Sequence, residues 1–131
     1  MFMLDTNTLI YFFKGQGKVA EHLFAVPPGE VAISSVSLYE IEVGIAKSAQ
    51  AAKRRKEFDT FLAVVSVFPF DRAAARAAAT LRVDLERRGV PIGPLDNLIA
   101  GVAVAHRATL VTRNRREFSR LPGLALADWY D

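Results

Sequence analysis

The chain has no cysteine. That excludes a disulfide and any thiolate metal site, and it permits a reducing, cytoplasmic home. Histidine is nearly absent too. With only His22 and His106, a metal site here must be built mostly from oxygen, which favours Mg²⁺ or Mn²⁺ over zinc. Long apolar runs are also missing. The longest, Leu98 to Ala105, falls far short of the ~20 residues that cross a bilayer, so no membrane association is expected. The first residues lack the basic region of a signal peptide and carry Asp5 within their apolar run. No repeat, low-complexity segment or linker interrupts the 131 residues. A single domain over residues 1–131 is expected, large enough to bury about two thirds of its unfolded surface.

What is present is a soluble globular composition, 51% hydrophobic and 24% charged. The net charge is only +3, yet the pI is near 9.5, which suits an acidic partner or a polyanion. Short apolar runs alternate with helical patterns. Phe2 to Leu4 reads as a buried strand, followed by a helix for which Thr6 to Thr8 are candidate caps. A short helix is expected from Lys18 to Ala25, then a strand Val31 to Ser34, with Ser35 as a candidate cap for a helix Val36 to Lys47. Lys53 to Val65 reads as a helix and Val67 to Phe70 as a strand whose Pro69 argues for an edge position. Asp71 should cap a long alanine-rich helix that runs to Arg88 and stops at Gly89. An extended loop, Val90 to Pro94, leads to a helix Leu95 to His106, a strand Thr109 to Thr112, a polar stretch Arg113 to Glu117 and a last strand Leu124 to Ala127. Strands joined by helical crossovers imply a parallel sheet covered on both faces. The expected architecture is α/β, a three-layer α/β/α sandwich of about five strands.

In such folds ligands bind in the crevice beyond the carboxyl ends of the strands, and acidic residues fall there repeatedly. Asp5 ends the first strand, Glu40 lies in the second turn of the helix after the second, and Asp96 opens the helix behind the Pro91 to Pro94 loop. Asn114 and Glu117 follow the strand ending at Thr112. Glu42 competes with Glu40. Two residues apart on a helix they point about 200° away from each other, so they cannot both face one site. Both flank the Leu38, Ile41, Ile45 stripe, and Gly44 tilts the choice only slightly toward Glu40. Clustered carboxylates without histidine or cysteine repel one another, and a hard divalent cation removes that conflict while taking substrate phosphate oxygens as further ligands. Arg113, Arg115, Arg116 and Arg120 stand beside the last candidate position, and Lys53 to Lys56 form a second basic cluster.

With those residues in place, the chain resembles the PIN-domain ribonucleases, and among them the VapC-type toxins of bacterial toxin–antitoxin modules. The matching motifs are Leu4-Asp5-Thr6-Asn7-Thr8-Leu9-Ile10, Tyr39-Glu40-Ile41-Glu42-Val43-Gly44, Pro91 to Ala100 and Leu110 to Phe118, in family order and spacing. The resemblance implies Asp5, Glu40 and Asp96 as metal ligands for Mg²⁺ or Mn²⁺, and it chooses Glu40 over Glu42. For the fourth position it offers Asn114 or Glu117. From the residues themselves, Thr6, Asn7 and Thr112 are expected to support the acidic group, and Arg113 and Arg116 to hold substrate phosphates. The resemblance further implies a sheet ordered 3-2-1-4-5, a homodimer, and a VapB-type antitoxin whose tail blocks the site. The implied activity is endoribonucleolytic, on transfer RNA and often on the initiator transfer RNA in its anticodon loop.

Two other readings compete. A haloacid-dehalogenase-like phosphatase would use Asp5 as a nucleophile, but it wants a second Asp where this chain has Asn7. A non-catalytic RNA-binding domain would not need all three matched carboxylates.

Overall fold

A computed structural model describes residues 1–131. Its centre is a five-stranded, all-parallel sheet in the order β3-β2-β1-β4-β5. The strands are short: β1 Phe2–Leu4, β2 Val31–Ser34, β3 Ser66–Phe68, β4 Thr109–Val111 and β5 Leu126–Ala127. Side chains alternate across the sheet with period two. Met3, Ala32 and Leu110 enter one core, and Leu4, Val31, Ile33 and Val111 the other. The register pairs Phe2 with Val31 and Leu4 with both Ile33 and Val111, which keeps each set on its own face. Two cores, one per face, explain why β2 is buried at every residue.

The first core is roofed by α5 (Arg72–Arg87) and α6 (Pro94–Ala105), and the second by α1 (Thr6–Phe13), α2 (Val19–Phe24) and α4 (Ala51–Leu62). Helix α3 (Ser35–Ala46) reaches both, through Val36 on one side and Ile45 on the other. The alanine-rich sequence of α5 has a packing purpose. Ala74 and Ala78 are buried against Gly101 of α6, where an added Cβ would stand 2.5 Å from the Ala78 Cβ and 2.8 Å from the Ala74 carbonyl oxygen. Asn97, also buried, ties the same pair of helices by donating to the Ala78 carbonyl at 3.0 Å.

The connections decide where function can sit. From β1 the chain steps outward to β2 and β3, then returns through α5 and α6 to β4 on the other side of β1. The order therefore reverses between β1 and β4, the place where such sheets bind ligands. Helix α6 runs directly into β4, so its N-terminus is carried back over the carboxyl ends of the strands. The N-termini of α1 and α3, which follow their strands without a loop, share that end.

Several local expectations are corrected. Asp5, not Thr6 to Thr8, caps α1, its carboxylate accepting from the Thr8 N–H at 2.8 Å. Ser34 rather than Ser35 caps α3, while the Ser35 hydroxyl accepts from the Phe70 N–H. Pro69 falls just past β3, which is the edge strand, and only Leu126–Ala127 pair in β5. The stretch after Thr112 contains a one-turn helix, α7 (Arg115–Phe118), because Phe118 is drawn fully into the first core. A 3-10 turn at Pro28–Glu30 was not expected. No helix is long and apolar enough to cross a membrane.

Gly101→Ala tests the α5–α6 contact. In an exposed helix this change stabilises by about 1 kcal/mol, but here the methyl group meets backbone atoms, and overpacking costs about 1–3 kcal/mol. The expected outcome is a lower urea midpoint; an unchanged or higher one would show that the helices can part without cost.

Candidate active site

The crevice between the ends of β1 and β4 is built around Asp5. Its N–H donates to the Val111 carbonyl and its carboxylate closes the first turn of α1, so backbone at both ends fixes it. It is only 4% exposed. Burial raises its pKa; hydrogen bonds from Thr112 and Thr8 pull the other way, and the nearby charge of Glu40 adds to the rise. Thr112, fully buried, also accepts from the Asn114 N–H at 3.0 Å and so connects the two strand ends. The Thr8 hydroxyl donates to the Val111 carbonyl at 3.1 Å.

Glu40 is held by hydroxyls. Thr6 donates to its Oε1 at 2.6 Å, and the same Thr6 oxygen lies 3.0 Å from the Ser37 hydroxyl. Thr6 has one hydroxyl hydrogen, so with that hydrogen on the carboxylate it must accept from Ser37. Glu42 points elsewhere. It forms a two-pronged pair with Arg55 of α4 at 2.5 Å, which holds its pKa below the usual carboxylate range. The two glutamates are thus separated by helix geometry, as the sequence required, and only Glu40 faces Asp5.

Asp96 stands in the first turn of α6, where the helix dipole favours a negative charge. That effect, about 0.3–1 kcal/mol, loses. Burial and then the charges of Asp5, Glu117 and Glu40 push its pKa from 3.8 up to about 6. Glu117 is therefore part of the same electrostatic group, its Oε2 accepting from the Asn114 amide at 3.1 Å. None of these four carboxylates takes part in an ion pair. They influence one another, yet no three converge closely enough to form a ready-made ion cage. Glu40 and Glu117 lean on Thr6 and Asn114 instead.

Beside Asp5 lies a cleft of about 260 Å³ lined by Asn7, Tyr11, Arg113 and Asn114. Arg113 is exposed but not loose: its guanidinium lies 3.6 Å from the centre of the Tyr130 ring and 5.9 Å from that of Tyr11. Arg116 is exposed on α7, whereas Arg120 turns back toward the Pro91 carbonyl. Within the other basic cluster, Arg54 and Arg55 are engaged by Glu57 and Glu42. Sequence reasoning missed Ser37, Tyr11 and Tyr130. Ser37 precedes Glu40 by three residues and Tyr11 follows Asn7 by four, spacings that share a helix face. Nothing local marks Tyr130.

In metal-free buffer Asp96 should weaken the fold. Below pH 3.8 both folded and unfolded forms are protonated; between 3.8 and about 6 the unfolded chain ionises first, so stability falls as pH rises, and the loss is complete above about 6. Asp96→Asn should therefore melt at or above wild type in EDTA at pH 8, with the difference shrinking toward pH 4. Asp5→Asn keeps an acceptor for the Thr8 N–H and should also stay folded. Calorimetric melting across that range is the check, and a variant that melts well below wild type at pH 8 contradicts it.

The chain and its fold resemble known proteins over almost their whole length. The PIN domain family model matches residues 2–124. The tRNA(fMet)-specific endonuclease VapC of Shigella flexneri is 38% identical over 128 residues, 98% of this chain and 97% of that protein. The crystal structure of DNA-bound VapBC from Salmonella typhimurium superposes with a TM-score of 0.91 at 36% identity, covering 98% of this chain and 97% of that one. VapBC2 from Rickettsia felis, bound to a DNA fragment from its promoter, superposes at 0.89 with 34% identity and 98% coverage of each chain. This chain belongs to the PIN-domain family, alongside its VapC members.

Proposed function

We propose that this protein is a Mg²⁺- or Mn²⁺-dependent endoribonuclease, the toxin of a toxin–antitoxin pair, and that it cuts transfer RNA in the cytoplasm. The observation that carries this is the group of four unpaired carboxylates, Asp5, Glu40, Asp96 and Glu117, at the point where strand order reverses. The full-length likeness to tRNA(fMet)-specific endonucleases supports transfer RNA, and the initiator species in particular, as the substrate. The likeness to chains solved in VapBC complexes supports a VapB-type antitoxin as partner within an oligomeric assembly, in which we take the toxin part to be a homodimer. The phosphatase reading has no support in this family match, and the present carboxylates weigh against a decayed RNA-binding domain.

The donor set fits a hard divalent cation: oxygen only, uncompensated by any basic side chain, and expensive to keep ionised without one. Asp5, Glu40 and Asp96 would hold it, with Glu117 or Asn114 completing the group. When bound, such an ion activates water and offsets charge on the phosphate under attack. The chain's own residues prepare the rest. Asp5 is fixed by two strand ends and one helix cap, so it cannot drift when charge changes. Thr6 and Ser37 set the direction of the Glu40 carboxylate. Asn114, anchored through Thr112, steadies Glu117. Arg113 and Arg116 supply positive charge on the side from which a polyanion would approach.

Glu40→Gln and Glu42→Gln separate this reading from its neighbours. With saturating Mn²⁺ and transfer RNA, Glu40→Gln should lose more than about 100-fold in cleavage rate. Glu42→Gln should cut near the wild-type rate and lose at most about 1 kcal/mol of stability, because its pair with Arg55 is exposed. Wild-type cleavage should stop in EDTA. Cleavage that survives EDTA, or is lost only in the Glu42 variant, would overturn the assignment.

Glu117 should have a graded effect. Glu117→Gln is expected to raise the Mn²⁺ concentration needed for half-maximal cleavage without abolishing activity, and Asn114→Ala to cost less than Asp96→Asn. An unchanged metal titration for Glu117→Gln would leave Glu117 a surface charge.

A further inference from the structure

Residues 128–130 are fastened to the rest of the fold by several independent contacts. Trp129 is buried, tilted against Phe2 and stacked with His22. The Tyr130 carbonyl accepts from the Lys18 N–H at 2.7 Å, and its N–H donates to Asp128 Oδ1 at 2.8 Å. Gly17, at φ +61°, sits directly under the ring, where any Cβ would lie 2.7 Å from Tyr130 atoms. Tyr130 then meets Tyr11 edge to face at 4.9 Å, and the Arg113 guanidinium lies over it at 3.6 Å. Tyr11 and Arg113 line the cleft that contains Asp5.

A free surface arginine must surrender rotamer freedom to grip a ligand. Here one face of the guanidinium is already spent on Tyr130 and the Tyr11 side chain stands beside it, while the residue as a whole remains exposed at the rim of the cleft. We propose that Tyr130, backed by Tyr11, is a positioning residue that preorganises Arg113 to hold a backbone phosphate of the RNA strand beside the acidic site. This rests on the nuclease reading and adds to it a residue that comes from the far end of the chain. The stack acts through the planarity of the guanidinium as much as its charge. A lysine has the charge without the plane.

The test is steady-state cleavage of transfer RNA with Mn²⁺ by wild type, Tyr130→Leu, Tyr130→Phe, Arg113→Lys, Arg113→Gln and the double variant Arg113→Gln/Tyr130→Leu. Interactions made equally with bound substrate and transition state appear in KM, so Tyr130→Leu should raise KM about three- to tenfold with kcat little changed. Tyr130→Phe, which keeps the ring face, should restore wild-type KM. Arg113→Lys should resemble Arg113→Gln, with a rise of about tenfold. The double variant should be no worse than Arg113→Gln alone, since Tyr130 acts only through Arg113. A merely structural Tyr130 would instead give multiplicative losses and a lower kcat. Wild-type KM in Tyr130→Leu, wild-type KM in Arg113→Lys, or multiplying effects in the double variant would each overturn the positioning role. Should Tyr130→Leu fold poorly, the comparison of Arg113→Lys with Arg113→Gln still decides, because both changes are at the surface. Wild-type protein that cuts no RNA would overturn the nuclease reading itself, a distinct outcome from the others.

Discussion

A carboxylate taken out of water, beside like charges and with no basic side chain to pair it, is the condition around which this molecule is arranged. Asp5 is needed by the fold, as the cap that starts α1, and it is also the most buried acid of the candidate site. Its position follows from topology. The strand it ends is the central one, and the order of the sheet reverses between that strand and β4. Beyond the adjoining turn of α1, what approaches Asp5 comes from separate pieces of chain: Thr112 from the end of β4, Glu40 from α3, Asp96 from α6. No local interaction holds these together. The sheet register and the close α5–α6 packing at Gly101 and Asn97 do it, by setting where the N-terminus of α6 can stand.

The electrostatics show which influence wins at that place. A helix N-terminus should ease a carboxylate toward ionisation, yet Asp96 is pushed up to about 6 because burial and three like charges outweigh a partial dipole charge. The fold carries this as stored repulsion, of the sort found where function opposes stability. The contrast lies on the other side of α3: Glu42, two residues from Glu40, has its own arginine and a lowered pKa. One glutamate of the pair serves the fold and the other is left unpaired.

Much of this could be read in the sequence, for physical reasons. Alternation of short apolar runs with helical periods announces a parallel sheet, and each strand turned up within a residue or two of its expected place. Asp5, Glu40 and Asp96 were legible because strand ends and helix starts are visible as changes of pattern. Periodicity alone does not choose between Glu40 and Glu42, since both flank the same apolar stripe; the family pattern picks Glu40, and the pairing of Glu42 with Arg55, thirteen residues away in the chain, supplies the physical reason. Caps were misplaced by one residue at α1 and α3, because neighbouring Asp, Thr and Ser residues are equally able to cap. Tyr130 was invisible, as its meeting with Arg113 and Gly17 depends on where the last strand releases the chain.

If the cluster exists to hold a cation, ion binding must displace protons that repulsion and burial keep there. Isothermal titration of the protein with Mn²⁺ in two buffers of different ionisation enthalpy counts them. With Asp96 titrating at about 6, the account predicts binding that releases roughly half a proton or more per ion at pH 6 and much less at pH 8. Binding with no proton release at pH 6, or release unchanged between the two values, would contradict it.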